Sequence, residues 1–192
     1  MANATDILVW LVLLTHIVIA LYLFEGLAIK TNVRTRRFKL WSYIGNNALV
    51  LGFVISLVAM LGSLYFSEIM GYAPCTLCWY QRIFIYAQVF LFGTALWKHE
   101  HVRIWTYSLV LSVVGALIAA FQYYIQFASK PIVSLPCSAL GSSASCTEKF
   151  ITYFGYITIP MMSLTIFVTI IILGAMARKN ILMHHSIHAN VI

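Results

Sequence analysis

The sequence predicts an all-α integral membrane protein, a bundle of five membrane-spanning helices, and three observations carry that prediction. Of its 192 residues, 62% are hydrophobic and only 9% are charged, where soluble domains hold about 45–50% and about 25%. With a mean hydropathy of +0.92, the chain has too little polar surface to coat a water-soluble globule, so lipid must solvate much of it. Its apolar residues are gathered into five continuous runs rather than many short alternating ones, which argues against a membrane β-barrel.

The runs fall near 7–29, 41–66, 79–97, 104–128 and 151–177, each reaching or approaching the roughly 20 residues that cross a hydrocarbon core. Met1 to Asp6 contains no Lys or Arg and the first run is long for a signal-peptide core, so it reads as a retained helix. Two ionisable residues lie in it. His16 is mid-helix and is satisfied by one hydrogen bond, whereas Glu25 is close enough to the helix end to reach water or Lys30. Pro74 stops any helix arriving before the third run. In the fourth run Gln122 and Gln126 are one turn apart, an arrangement suited to interhelical hydrogen bonds or to a polar head group. Pro160 is expected to kink the last helix near its outer third, with Met161 and Met162 beside it as core packing rather than as the lining of a ligand pocket. The polar intervals are short, leaving no room for a second soluble domain, and residues 178–192 form a tail. His184, His185 and His188 in that tail, and His99, Glu100 and His101 between the third and fourth runs, read as solvated polar residues.

The net charge of +7 does not point to nucleic acid, because the basic residues are placed as topology signals rather than along one aromatic-interleaved face. Nine of the twelve lysines and arginines belong to one side of the membrane: Lys30, Arg34, Arg36, Arg37, Lys39, Lys98, Arg103, Arg178 and Lys179. Arg82, Lys130 and Lys149 belong to the other. An excess of Lys and Arg marks the cytoplasmic side. The expected topology therefore has the N-terminus and the 67–78 and 129–150 connections outside, with the C-terminus in the cytoplasm.

All four cysteines, Cys75, Cys78, Cys137 and Cys146, lie in or at those two outward connections. Outside the cytoplasm thiols can be oxidised, so an even number there points to disulfides. Cys75-Thr76-Leu77-Cys78 has the CxxC spacing of a reactive dithiol. Cys78 should lie in the first turn of the third helix, where the helix dipole favours a thiolate, and Arg82, one turn later, can add positive potential on the same face or instead snorkel outward as an anchor to lipid phosphate. Cys137 and Cys146 stand nine positions apart in a Ser-, Pro- and Gly-containing segment able to close or exchange partners. A zinc site fits this spacing and compartment less well than disulfide exchange. Haem attachment would need His where Trp79 stands. A non-catalytic membrane protein braced by two structural disulfides is the alternative, and a transporter lacks the paired broken helices of a midplane site.

The octet Cys75-Thr76-Leu77-Cys78-Trp79-Tyr80-Gln81-Arg82 resembles the CxLCxxxR signature of the disulfide-bond formation protein B (DsbB) family, including its BdbC-like branch. Pro136-Cys137 with Cys146 resembles that family's second loop pair, and Gly155-Tyr156-Ile157-Thr158-Ile159-Pro160 resembles the opening of its last helix. The likeness covers residues 41–177, a four-helix bundle of DsbB type; residues 1–40, an extra N-terminal helix and a basic loop, depart from the pattern. Vitamin K epoxide reductase relatives combine similar elements, but with the loop pair before the CxxC, the reverse of the order here.

The resemblance implies a quinone-linked thiol oxidase of the cytoplasmic membrane that reoxidises a DsbA-like thioredoxin-fold disulfide donor outside it. By position, Cys137 resembles the cysteine that forms the mixed disulfide with the partner, Cys146 the one that resolves it and passes oxidation on to Cys75, Cys78 the cysteine facing the quinone, and Arg82 the quinone-site arginine. The acceptor that the resemblance implies is ubiquinone or menaquinone from the membrane pool, and no metal is implied. A donor as oxidising as about −120 mV needs an acceptor of clearly higher potential, since about 30 mV is worth 1.4 kcal/mol for two electrons. A lipid-dissolved quinone meets that need.

Overall fold

Among the residues that the computed structural model describes, five long helices follow one another: α1 (Ala4–Leu27), α2 (Ala48–Leu64), α3 (Thr76–Lys98), α4 (Ile104–Phe127) and α5 (Ile159–Ala189). The structure describes residues 4–27, 42–99, 103–128, 146–147 and 149–189, without the side chains of 4, 25–27 and 181–189. No β-ladder forms among the described residues beyond one isolated antiparallel bridge between Tyr153 and Ile157.

Among the described residues, four helices are long and apolar enough to span a membrane, over Thr5–Phe24, Ala48–Ile69, Ile104–Phe127 and Ile159–Asn180. The sequence leads one to expect five. At 23 residues α3 has the length but carries Gln81, Arg82 and Gln88, which it buries against its neighbours. Its outer face exposes the apolar side chains of Trp79, Ile83, Phe90 and Trp97. Hydropathy averaged along a helix cannot distinguish polar groups facing protein from polar groups facing lipid.

α3 packs between α2 and α4, α4 packs along α5, and α5 returns to α2, so these four close into a ring, while α1 lies outside it against α5. Small residues allow the close approaches. A Cβ on Gly52 would press on the Phe92 ring, and one on Gly115 would overlap the Phe167 ring, the usual role of glycine where apolar helices meet in lipid. The deepest cluster gathers Phe92, Trp105, Ile170 and Leu173, with the Phe92 and Trp105 rings 5.4 Å apart. Gln88 is fully buried, yet its amide nitrogen donates to Ser108 O at 3.0 Å and to Ser112 Oγ at 2.8 Å, while Ser108 Oγ donates to its amide oxygen at 2.8 Å. A polar group so completely paired costs little to bury and ties α3 to α4.

The last apolar run departs from expectation in its first eight residues. Residues 151–158 form a turn in which Phe154 and Gly155 have φ of 52° and 77°, a left-handed pair that ends any continuous helix there. Helix begins at Ile159. Pro160 is therefore the second residue of α5 and causes no kink in its outer third, because an N–H in the first turn has no intrahelical acceptor to lose. At the far end the helix runs on to Ala189, through much of what reads as a tail. There Asn180 Nδ2 donates to Ser42 O at 2.9 Å, tying the end of α5 to the segment before α2. The second run also changes character, passing into a π-helical turn over Tyr65–Ile69.

Candidate redox site

The CxxC straddles the start of α3. Cys75 is the N-cap residue, with extended backbone at φ −74° and ψ 172°, and its carbonyl accepts the first helical hydrogen bond from the Trp79 N–H at 3.0 Å. Pro74 immediately before it cannot continue a helix from the preceding loop. Cys78 is consequently in the first turn, one turn before Arg82. Its sulfur lies 3.2 Å from that of Cys75, with the Cys75 thiol donating.

Gln122 on α4 crosses to this pair. Its amide nitrogen stands 3.2 Å from Cys75 Sγ and 3.3 Å from Cys78 Sγ, and its amide oxygen accepts from Gln81 Nε2 at 2.6 Å. Gln81 thus fixes which way the Gln122 amide points, leaving N–H groups for sulfur. Both glutamines are buried. Gln122 is a helix-joining residue as expected, but it also reaches both sulfurs, and Gln81 has a role that the octet alone did not suggest. The signal was present in α3 and α4 as amides in otherwise apolar surroundings; what it lacked was the register between the helices.

Cys75 and Cys78 precede the apolar run that begins at Trp79. The hydrogen bond from Cys75 is the largest influence holding the Cys78 thiol below its ordinary pKa; burial opposes it, and the Gln122 amide and the Arg82 charge reinforce it. Cys75 is pushed up by the same hydrogen bond, given rather than received, and by burial. The pair is polarised, with Cys78 the thiolate and Cys75 the proton holder.

Cys146 is 2% exposed and packs on Cys75 in a small cluster with Leu77, Ile125 and Phe150. Cys137 lies outside the described residues, so the structure brings together three of the four candidate cysteines. Nearby, Lys149 Nζ sits 3.7 Å from the centre of the Phe127 ring. A small cavity of about 20 Å³ touches Cys75, Cys78, Gln122, Gln126 and Thr158. The Thr158 hydroxyl is buried there without a partner, and the space is of the order that one water occupies.

On its other side Cys78 opens onto a cavity of about 310 Å³ whose walls are mostly apolar, with Arg82, Gln81 and Ser63 supplying its polar end. Arg82 donates from Nη2 to Ser63 O at 2.9 Å and lies 5.3 Å from the centre of the Trp79 ring. It is 9% exposed, so its charge is directed by protein rather than dispersed in lipid head groups. Of the two methionines, Met162 lines this cavity. His16 is satisfied, as expected, by Thr165 Oγ1 at 2.7 Å. His99 closes α3 in a left-handed conformation; Glu100 and His101, the side chains of Glu25, His184, His185 and His188, and the loop lysine Lys130 lie outside the described residues.

Residues 45–177 match the family model for disulfide bond formation protein DsbB. The chain belongs to the DsbB family. Its relatives include the probable disulfide formation protein C of Bacillus cereus, 42% identical over 69% of this chain and 93% of that one. The disulfide bond formation protein C of Bacillus subtilis is 42% identical over 62% of this chain and 83% of its own length. A probable disulfide formation protein of Metapseudomonas resinovorans is 33% identical over 69% and 90%. No solved structure matches. As a DsbB-family protein the chain is a multi-pass membrane thiol oxidoreductase of disulfide bond formation. The family match takes in α2 to α5 as far as residue 177, all four cysteines and Arg82, and leaves α1 outside.

Proposed function

We propose that this DsbB-family protein transfers two electrons from a DsbA-like thioredoxin-fold dithiol outside the cytoplasmic membrane to a membrane quinone, through Cys137 and Cys146 and then Cys75 and Cys78. The single observation that carries this reading is the double exposure of the CxxC. Cys75 packs against Cys146 on one side, while Cys78 opens with Arg82 onto a mostly apolar cavity on the other.

In the sequence of exchanges, the partner thiolate attacks Cys137 of a Cys137–Cys146 disulfide, and its second thiol displaces Cys137, leaving partner disulfide and a reduced loop pair. The Cys146 thiolate then attacks Cys75 of the Cys75–Cys78 disulfide, expelling the Cys78 thiolate. Cys78 is the better leaving group, because it is the cysteine whose anion is stabilised. Cys137 attacks Cys146 in turn, reforming the loop disulfide and leaving Cys75 and Cys78 reduced. A bound quinone would supply the final oxidation, accepting two electrons from the pair, one proton from Cys75 and a second from water, and leaving as quinol. The cavity fits such a group: its volume falls at the lower end of small-molecule pockets, about 300 Å³, and Arg82 at its polar end suits an oxygen that gains negative charge. Gln122 holds the sulfurs in register, and Cys75 holds the proton that the pair must lose.

The basic residues support the orientation. Lys98 and Arg103 stand where α3 ends and α4 begins, away from the sulfur cluster, and Arg178 and Lys179 lie in the part of α5 remote from it, consistent with cysteines outside and C-terminus inside. Absorbance tests the activity in purified protein supplied with a reduced thioredoxin-fold dithiol and either ubiquinone or menaquinone. One quinone should disappear for each disulfide made in the donor, and Cys137→Ser and Cys146→Ser should abolish it. Absence of turnover with several donors and both quinones, with all four cysteines stably paired, would instead establish two structural disulfides.

A further inference from the structure

The helix that the family match leaves out, α1, forms part of the wall of the cavity that holds Cys78 and Arg82. Leu8, Leu11, Val12 and Thr15 line it, as do Val54 and Val58 of α2. Their spacing of three and four residues makes one stripe on α1, extending about 10 Å along its axis.

α1 is pinned in that position at two heights. Toward the cysteine end, the Tyr153 hydroxyl donates to Asp6 Oδ1 at 3.2 Å, the Trp10 and Phe154 rings meet edge to face at 6.4 Å, and Val9 and Val12 are buried with Phe66, Ile157 and Met162. Deeper, His16 Nε2 lies 2.7 Å from Thr165 Oγ1. The Thr165 hydroxyl spends its own proton on Met161 O at 2.9 Å, so His16 is the donor and its proton is on Nε2. Thr165 itself lines the cavity. Leu8 closes the gap to α2 at the outer end, its methyl carbons 3.4 and 3.5 Å from where a Gly62 Cβ would stand. Below Leu8, the stripe offers no free donor, because the Thr15 hydroxyl is spent on Leu11 O at 2.8 Å.

We propose that α1 is the tail-side wall of the quinone cavity, with Leu11, Val12 and Thr15 holding the isoprenoid chain of a quinone whose head group lies at Arg82 and Cys78. This rests on the quinone reading above. The stripe is apolar and continuous with the polar end of the same cavity, which is the shape of an amphipathic ligand with a small polar head and a hydrocarbon tail. A lipid acyl chain shares the tail chemistry, but the redox pair and the guanidinium at the head end favour the quinone. The four-helix core alone would leave this side of the cavity open to the bilayer.

The test is equilibrium binding to the full-length protein in detergent, read by the thermal-unfolding shift on adding oxidised quinones with and without an isoprenoid tail, alongside steady-state quinone reduction. Wild type should bind the tailed quinone more tightly. Leu11→Trp, which fills the cavity, and Leu11→Ala, which removes its wall, should each weaken tailed-quinone binding at least fivefold, with a smaller effect on the tail-less one. Leu14→Trp, on a residue 58% exposed and outside the lining, should bind both as wild type does. Normal quinone turnover with equal tailed-quinone affinity in all four proteins would overturn the role of α1 while leaving the oxidase standing. Equal affinity of wild type for tailed and tail-less quinone would also overturn it, and would point to an acyl chain along the stripe. Wild type that neither binds nor reduces any quinone would remove the quinone reading and this one together.

Discussion

The sulfur of Cys75 lies 3.2 Å from that of Cys78 and directs its proton at it. In the reduced pair this contact favours the thiolate form of the second cysteine. Because the hydrogen bond from Cys75, with help from Gln122 and Arg82, holds the Cys78 pKa below the ordinary thiol value, its reactivity should persist as pH falls. In the fully reduced protein, alkylation of Cys78 followed by mass spectrometry should show a midpoint at least about one unit below the usual 8.5. Cys75, pushed the other way, should remain largely unmodified through the same range. Equal midpoints for the two would contradict the polarised pair.

Gln122 should matter more than an interhelical amide ordinarily does. Gln122→Leu removes the N–H groups that reach both sulfurs and leaves the buried Gln81 amide without its acceptor. Hydrogen bonds to charged groups are worth about 1.5–3 kcal/mol, so the Cys78 midpoint should rise by about a unit or more. Thermal unfolding should fall together with it, because an orphaned buried amide costs about 1–3 kcal/mol.

Arg82 joins the cavity to α2 through Ser63 O. Arg82→Ala should lower kcat/KM for quinone by about a hundredfold, the size of losing one charge-stabilising donor, while the KM for the dithiol donor stays put. Arg82→Lys should restore only part of the loss, since an ammonium lacks the guanidinium fork that can hold the Ser63 carbonyl and still face the cavity. Steady-state kinetics with each substrate varied in turn separates these outcomes.

The helices and the dithiol were legible in the sequence for physical reasons. Continuous apolar runs located all five helices, and Pro74 before a CxxC located the start of α3 to within its first turn. What periodicity could not supply was the polar register between helices. Gln81 and Gln122 are 41 positions apart and meet only once α3 and α4 are packed, and the Ser63 carbonyl carries no side-chain signal at all. Residues 151–158 read as the start of a span because Ile151, Tyr153, Phe154 and Ile157 are apolar. The left-handed backbone at Phe154 and Gly155 overrode that composition and moved Pro160 into the first helical turn. The role of α1 was invisible for a similar reason, since its cavity-lining stripe is no more apolar than its exposed face.

Close packing between α4 and α5 should tolerate little added volume. A Cβ at Gly115 would overlap the Phe167 ring, which is completely buried. Gly115→Ala should destabilise the detergent-solubilised protein by about 1–3 kcal/mol, as overpacking does. A pairing Phe167→Leu change should recover part of the loss in thermal unfolding, as coupled neighbours do.

A single turnover without any protein partner isolates electron transfer from Cys75 and Cys78 to quinone. Fully reduced protein is mixed anaerobically with one equivalent of quinone, absorbance follows quinone loss, and differential alkylation identifies the disulfide formed. Quinone loss in Cys137→Ser should be as complete as in wild type and should yield a Cys75–Cys78 disulfide, whereas Cys78→Ser should reduce no quinone. Quinone reduction that survives Cys78→Ser would contradict that transfer.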